Sequence, residues 1–234
     1  RIIAPGTQWV VNCAAYTAVD EAEEREDLAM EVNGHAVGRL AERCKAVGAK
    51  LVHYSTDYVF DGTATEPYAI DHPRSPVSAY GRSKALGEKL VEESGAEHLL
   101  VRGSWLYAPW GNNFVLTIRN LAKSRPVLRV VDDQRGRPTD SRHLAAASLQ
   151  LAESGHRGIA HVTDGGECSW YELATLVASV ANPDCRVEPC SSEEFPRPAR
   201  RPAYSVLDIS ATESELGPMP PWQARVRDVL EHAR

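Results

Sequence analysis

A strand, a helix and a second strand follow one another near the start of the chain, and this order restricts the fold more than any other feature. Residues 9–15 (WVVNCAA) are short, apolar and β-branched, as in a buried strand. Residues 31–47 place their apolar side chains on one helical stripe, and Gly48 follows as a helix-ending residue. Residues 50–54 (KLVHY) again have the pattern of a buried strand. Together they predict a right-handed βαβ unit in a parallel sheet.

The rest of the chain extends this pattern and then changes character. An acidic run at residues 21–27 follows two candidate N-caps, Thr17 and Asp20, and predicts a helix start. Beyond about residue 132 prolines cluster, which indicates a second lobe. We predict a doubly wound α/β sheet in residues 1–134 and a smaller lobe in residues 135–234, with some segments of the lobe returning to the main sheet. Further predicted elements are a strand at 99–102 and helices at 80–94, 113–123, 143–153 and 171–180.

Composition excludes several classes of protein. The net charge of -6 argues against a general nucleic-acid binder, which usually carries a basic face. No apolar run approaches the roughly 18 residues of a membrane span, and residues 1–8 lack a signal-peptide core. The five cysteines form no CxxC pair and have no histidine cluster nearby. We therefore expect a cytoplasmic protein with reduced thiols and no metal site of its own.

Tyr80 and Lys84 form a YxxxK pair on a predicted helix. Four residues is about one turn, so both side chains lie on one face. A neighbouring ammonium favours the phenolate and is expected to lower the tyrosine pKa from its reference value near 10, which would suit Tyr80 as a general acid toward a carbonyl oxygen. A lone YxxxK is weak evidence, because surface helices produce this spacing by chance.

Polar residues follow directly where the second strand is predicted to end. Ser55, Thr56 and Asp57 would lie at the carboxyl end of a parallel strand, where α/β sheets place their ligands. A hydroxyl there can share a hydrogen bond with a substrate carbonyl and with Tyr80. Taken alone, Ser-Thr-Asp is more often a turn or a helix N-cap.

A series of motifs in order along the chain makes a family resemblance specific. The sequence resembles the extended short-chain dehydrogenase/reductases of nucleotide-sugar metabolism, and among them most of all the dTDP-4-dehydrorhamnose reductase family. The matching segments, in chain order, are VVNCAAYT at 10–17, VHYSTDYVFDG at 52–62, SPVSAYGRSK at 75–84, RGSWLYA at 102–108, GNNF at 111–114, DQRGRPT at 133–139, GIAHVTDGGECSW at 158–170 and RPAYSVLD at 201–208.

The resemblance implies a Rossmann-like first domain at residues 1–134, a substrate-binding lobe at 135–234, and roles at matching positions. Tyr80 would donate the proton and Lys84 would assist it, both contacting NADPH or NADH, while Thr56 tunes the site. The cofactor would also contact Ala14, Ala15 and Tyr16. The nucleotide-sugar substrate would contact Thr56, Asp57, Trp105, Asn112 and Asn113, and Arg197, Arg200 and Arg201 either meet its diphosphate or form a solvated basic loop.

One local difference separates reduction from dehydration. The 4,6-dehydratases that resemble this chain carry Asp-Glu after the threonine, whereas here Asp57 is followed by Tyr58. The resemblance therefore implies simple reduction of a 4-keto-6-deoxyhexose, as in deoxysugar and L-rhamnose biosynthesis. Two alternatives stay open: a non-catalytic binding or regulatory subunit, and another family enzyme such as an epimerase. The oligomeric state is also open, with a homodimer as one candidate.

The chain departs from the family at its start. The family opens with a strand, a glycine-rich GxxGxxG turn and a helix that approach the cofactor diphosphate, and no such turn occurs in residues 1–8. We expect the sequence to be a fragment lacking roughly 50 residues, the length of somewhat under two βαβ units. The alternative is a shortened protein whose diphosphate binding is in doubt. Related enzymes can bind magnesium through glutamates, but the resemblance does not fix those positions here.

Overall fold

The computed structural model describes residues 3–233. The strands are β1 (Trp9–Asn12), β2 (Lys50–Thr56), β3 (His98–Gly103), β4 (Leu106–Tyr107), β5 (Val127–Val131), β6 (Arg135–Gly136), β7 (Thr139–Asp140), β8 (Gly158–His161), β9 (Cys168–Ser169) and β10 (Arg186–Cys190). The helices are α1 (Glu26–Met30), α2 (Ala36–Val47), α3 (Ala79–Ser94), α4 (Phe114–Ser124), α5 (Ser141–Ser154), α6 (Trp170–Ala181), α7 (Ser210–Leu216) and α8 (Trp222–His232).

Four parallel strands in the order β1-β2-β3-β8 form the main sheet, with helices on both faces. Successive strand side chains point to opposite faces. Leu51 accordingly packs with the Val37 side of α2, and its neighbour Val52 packs with Leu144 of α5. The predicted doubly wound α/β fold is confirmed.

A second core lies beside this sheet. It contains Ile118 of α4, Leu128 of β5, Leu173 of α6 and Val226 of α8, and β5 pairs in parallel with β10. Strand β8, by contrast, returns to the main sheet. Helix α4 and strand β5 thus precede residue 134 in the chain but pack with later elements, and the domain boundary at residue 134 stays a prediction.

Three local predictions need correction. Strand β1 ends at Asn12 instead of residue 15, because the Asn12 Oδ1 accepts a hydrogen bond from the Ala14 N–H at 3.1 Å and turns the chain. The helix predicted from residue 31 begins at Glu26 and contains a π-helical turn at Glu31–His35 before α2. Asp20 makes no capping hydrogen bond, since its carboxylate instead pairs with Arg201 at 2.9 Å.

Residues 3–233 contain neither a candidate membrane-spanning helix nor a candidate metal-binding cluster. No helix in this range has both the length and the apolar character needed to cross a membrane. Over the same residues, no three His, Cys, Asp or Glu side chains are grouped closely enough to hold a metal ion.

Candidate active site

Helix α3 begins at the carboxyl edge of the sheet and carries the YxxxK pair. The Ser78 Oγ caps it by accepting a hydrogen bond from the Gly81 N–H at 3.1 Å, and Glu23 accepts from the Ala79 N–H at 2.9 Å. These two contacts fix the first turn, so that Tyr80 lies above the ends of the strands. Lys84 follows one turn later on the buried side of the helix.

The Tyr80 hydroxyl is protonated at neutral pH. Burial and, to a smaller extent, the Asp57 carboxylate raise its pKa to about 12. A hydrogen bond with Thr56 lowers the pKa, but by less than burial raises it. The ring packs edge-on against Tyr58, with centroids 5.8 Å apart. The expectation that Lys84 lowers this pKa is wrong for this structure, because the Lys84 amine donates to the Tyr54 carbonyl instead. Tyr80 nevertheless holds the proton that a general acid needs.

Lys84 is almost fully enclosed. Its side chain is 2% exposed, and the Nζ lies 2.6 Å from the Tyr54 carbonyl oxygen and 3.4 Å from the His53 Nε2. Burial lowers the pKa of Lys84 to about 8, although the Glu88 carboxylate one turn further along α3 favours the charged form. The amine therefore changes charge close to neutral pH.

Thr56 and Asp57 act as a unit at the end of β2. The Thr56 Oγ1 donates to the Asp57 Oδ1 at 3.0 Å, which leaves its lone pairs for other donors, and it caps the following turn through the Tyr58 N–H at 3.3 Å. Burial raises the pKa of Asp57 to about 6, and its Oδ2 has no hydrogen-bond partner among the described residues. Thr56 thus caps the turn after β2 and also holds the Asp57 carboxylate.

A buried asparagine that the sequence analysis overlooked clamps the site together. Asn33, fully buried in the π-helical turn, accepts from the Tyr16 N–H at 2.8 Å and donates to the Tyr16 carbonyl at 2.9 Å. Its amide also donates to the Ser83 Oγ at 2.9 Å, and that hydroxyl donates to the Tyr80 carbonyl at 2.7 Å. The loop after β1 and the first turns of α3 are therefore held by one side chain.

Replacing this clamp should weaken cofactor binding. We expect Asn33→Ala to leave both Tyr16 backbone groups without a partner, which costs roughly 1–3 kcal/mol for each buried group that stays unsatisfied. The KM for NADPH should rise about tenfold, as a loss of about 1.4 kcal/mol in positioning implies, and steady-state kinetics would measure it. Asn120→Ala, an exposed change on α4, is the matched control and should leave KM unchanged.

The residues predicted to contact the cofactor lie on a shelf beside this clamp. Ala14 is exposed, Ala15 and Tyr16 are half-buried, and all three follow the carboxyl end of β1 next to β2. Small side chains here leave the backbone open to a flat ligand near Lys84. The family resemblance assigns this shelf to the cofactor, and these contacts stay a prediction.

A cleft of about 450 Å³ opens between the main sheet and the second core. Tyr58, which packs on Tyr80, is one of the residues that line it. Its lining includes three aromatic and three basic side chains: Phe114, Trp170, Phe195, Arg129, Arg197 and Arg201. Arg201 is held by Asp20, and the Arg197 guanidinium lies 5.3 Å from the Phe195 ring centroid.

Trp105 is placed beside this cleft in a strained conformation. Its φ of 49° lies in the left-handed region, which tryptophan rarely adopts. Its ring stacks on Trp170, with centroids 3.6 Å apart and planes 7° from parallel. A Cβ at Gly136 would come within 2.5 Å of the Trp105 ring, so the glycine makes room for the stack. The structure thus puts Trp105 next to a cleft-lining residue.

The two asparagines assigned to the substrate are placed differently. Asn113 caps α4, since its Oδ1 accepts from the Leu116 N–H at 3.0 Å and its Nδ2 donates to the Ala108 and Trp110 carbonyls. Asn112 is exposed, and neither side chain is among those that line the cleft. The amide of Asn113 is thereby used in capping, and substrate contact by Asn112 stays a prediction.

The sequence is similar to a known protein family along almost its whole length. The family model described as the RmlD substrate binding domain matches residues 2–234. The chain belongs to this family. The chain is 43% identical to the dTDP-4-dehydrorhamnose reductase of Burkholderia thailandensis, covering 94% of this chain and 82% of that protein. The Escherichia coli dTDP-4-dehydrorhamnose reductase is 36% identical, over 94% and 78% of the two chains.

Solved structures of the RmlD family show the same fold. The dTDP-4-dehydrorhamnose reductase of Clostridium acetobutylicum superposes with a TM-score of 0.91 at 41% identity, over 96% of this chain and 80% of that one. The Bacillus anthracis dTDP-4-dehydrorhamnose reductase in complex with NADP gives a TM-score of 0.92 at 40% identity, with the same coverage.

Proposed function

We propose that this chain reduces the 4-keto group of a nucleotide-linked 4-keto-6-deoxyhexose, dTDP-4-dehydrorhamnose or a related sugar, with NADPH or NADH. The observation that carries the proposal is the hydrogen bond between Tyr80 and Thr56, with buried Lys84 one turn further along α3 and Tyr58, which packs on Tyr80, lining the cleft. The named relatives are reductases of this substrate, which supports the proposal. A cytoplasmic location is part of it, and the free cysteines, of which all but Cys13 are buried, support that location.

The residues of the chain supply the proton and the orientation. When bound, NADPH or NADH supplies the hydride that adds to C4 of the sugar. Tyr80 donates its phenolic proton to the carbonyl oxygen, which becomes the new hydroxyl, and solvent returns a proton to Tyr80. Thr56, which is hydrogen-bonded to the Tyr80 hydroxyl, holds that hydroxyl in place. Lys84, which the family resemblance places against the cofactor, is held by the Tyr54 carbonyl at 2.6 Å.

The cleft supports a nucleotide-sugar substrate. Phe114, Trp170 and Phe195 offer flat apolar surfaces on which a base can stack. Arg197 in the same cleft carries a charge that suits a diphosphate, and Arg129 and Arg201 would meet it in exchange for their present partners Glu194 and Asp20. The sugar would then lie at the Tyr58 side of the cleft, against Thr56, Asp57 and Trp105, with its carbonyl toward Tyr80.

Isotope transfer tests the function directly. With NADPH deuterated at C4 of the nicotinamide and a dTDP-4-keto-6-deoxyhexose, we expect one deuterium at C4 of the product sugar, detected by mass spectrometry and NMR. An epimerase would return the hydride and consume no NADPH, and its purified form would retain NAD. Absence of deuterium from the sugar under conditions where NADPH binds by calorimetry would contradict the proposal.

A further inference from the structure

A buried histidine connects the end of β1 to the lysine of the site. His53 is 1% exposed and lies on β2, directly paired with Asn12 of β1. Its Nδ1 lies 3.0 Å from the Asn12 Nδ2, and its Nε2 lies 3.4 Å from the Lys84 Nζ. The mechanism described so far does not use this imidazole.

The hydrogen bonds around Asn12 determine which nitrogen of His53 carries the proton. The Asn12 Oδ1 accepts from the Ala14 N–H at 3.1 Å, so the amide oxygen is turned to the backbone and the NH₂ group faces the ring. The His53 Nδ1 must therefore accept. Burial, followed by the nearby Lys84 charge, lowers the pKa of His53 to about 3, so the ring is neutral. A neutral imidazole has one N–H, which must then lie on Nε2.

This tautomer directs an N–H at the Lys84 amine. An ammonium offers only donors, so it meets the Nε2–H unfavourably, whereas an uncharged amine can accept from it through its lone pair. We propose that His53, held in its Nε2-protonated form by Asn12, is a positioning residue that presents a donor to Lys84 and thereby favours the uncharged amine.

Other groups around Lys84 favour its charged form. The Tyr54 carbonyl accepts from the amine at 2.6 Å, and Glu88 lies one turn further along α3. The Glu88 charge is shared with Arg102 at 2.7 Å and with Arg74 at 2.5 Å, which weakens its effect on Lys84. His53 and burial therefore favour the uncharged Lys84 amine, whereas the Tyr54 carbonyl and the partly neutralised Glu88 carboxylate favour the ammonium. This balance places the titration of Lys84 near neutral pH, where a small change at His53 alters the charge of the site.

The arrangement also couples Lys84 to the cofactor shelf. The same Asn12 side chain that sets the His53 tautomer holds the backbone of Ala14, one of the residues proposed to contact the cofactor. This consequence rests on the proposed function, whereas the tautomer and the Lys84 titration can be measured without turnover.

Asn12→Asp tests the inference by inverting the tautomer. The carboxylate keeps an acceptor for Ala14 and offers a second acceptor to the ring, so the proton moves to Nδ1 and Nε2 becomes an acceptor for the Lys84 ammonium. In ¹⁵N-histidine spectra, with His53 assigned by its loss in His53→Phe, we expect Nε2 protonation in the wild type and Nδ1 protonation in the variant. The Lys84 Cε resonance, assigned with Lys84→Arg, should titrate about one unit higher in Asn12→Asp. The alkaline limb of kcat/KM should move by the same amount.

A double variant separates this effect from the added charge. In the His53→Phe background, Asn12→Asp should move the Lys84 titration by less than a third of its effect in the wild type. An equal shift in both backgrounds would mean that the carboxylate acts through space alone, and would overturn the proposal. An Nδ1-protonated His53 in the wild type would overturn it without any variant. If the NMR results hold but no sugar is reduced, the proposed function fails and the role of His53 stands.

Discussion

Tyr80→Phe should lower kcat for 4-keto sugar reduction roughly a thousandfold, the middle of the range for loss of a general acid. The Tyr80 hydroxyl bonds with Thr56 and is protonated throughout the physiological range, whereas a phenylalanine ring has no proton to give. The ring itself still packs edge-on against Tyr58. Stopped-flow loss of NADPH absorbance, at saturating sugar nucleotide, would measure the change.

The control for this variant makes the same chemical change elsewhere. Tyr171 lies on α6, away from the strand ends that form the site, and Tyr171→Phe should keep wild-type kcat. Calorimetry should show that Tyr80→Phe binds NADPH with little change in affinity, since Lys84 and the shelf are untouched. A Tyr80→Phe enzyme with more than a tenth of wild-type kcat would mean that another group donates the proton.

Glu88→Gln should reduce the free energy of unfolding by roughly 3–5 kcal/mol, the usual cost of removing one partner of a buried ion pair. Glu88 and Arg102 are 0% and 1% exposed. The carboxylate accepts from the Arg102 Nε at 2.9 Å and Nη2 at 2.7 Å, and from the Arg74 Nε at 2.5 Å. Glutamine keeps the size of the side chain but leaves a buried guanidinium without its counter-charge. Urea unfolding at pH 7 would measure the loss.

A surface pair on the same helix gives the comparison. Glu93 pairs with Lys89 at 3.7 Å, both side chains being more than half exposed. Glu93→Gln should cost less than about 0.5 kcal/mol, as exposed pairs of this spacing do. A loss below about 1 kcal/mol for Glu88→Gln would contradict the expectation that the variant leaves the Arg102 guanidinium buried without a counter-charge.

Acid should reproduce the effect of Glu88→Gln in the wild type. Burial alone would raise the pKa of Glu88, but Arg102 and then Arg74 outweigh it and hold that pKa below its usual range. The folded state thus binds its proton less readily than the unfolded state does. The stabilisation is present above the unfolded pKa near 4.5 and is lost as pH falls through the lower folded value.

Periodicity predicted β1, β2 and β3 of the main sheet, but not β8, and it predicted the helix that carries Tyr80 and Lys84. Helix α3, predicted at residues 80–94, spans Ala79–Ser94, and the alternation of Leu51 and Val52 between two cores follows from the pleat of β2. The structure brings Tyr80 and Thr56 together, whereas the Lys84 amine bonds to the Tyr54 carbonyl, and the roles of the three residues stay a prediction. The strands and the helix were predictable because strand ends and helix faces are local properties of the sequence.

The clamp and the histidine could not be predicted in this way, since both depend on close approaches between distant segments. A Cβ at Gly87 would lie 2.2 Å from the Asn33 carbonyl oxygen, so α3 reaches the π-helical turn only because glycine is there. Asn-Gly within a helical stripe was the available signal for this turn. His53 looked like an ordinary residue of an apolar strand, and its role appears only when Asn12 and Lys84 are seen on either side of it.

The stack of Trp105 on Trp170 has a consequence for how the sequence can change over evolutionary time. Any side chain at Gly136 would enter the space of the Trp105 ring, and the left-handed backbone at Trp105 persists only while the surrounding contacts impose it. The residues at these three positions therefore constrain one another. In an alignment of relatives, substitutions at 105, 136 and 170 should occur together, and a lineage that loses the glycine should also have lost the tryptophan at 105.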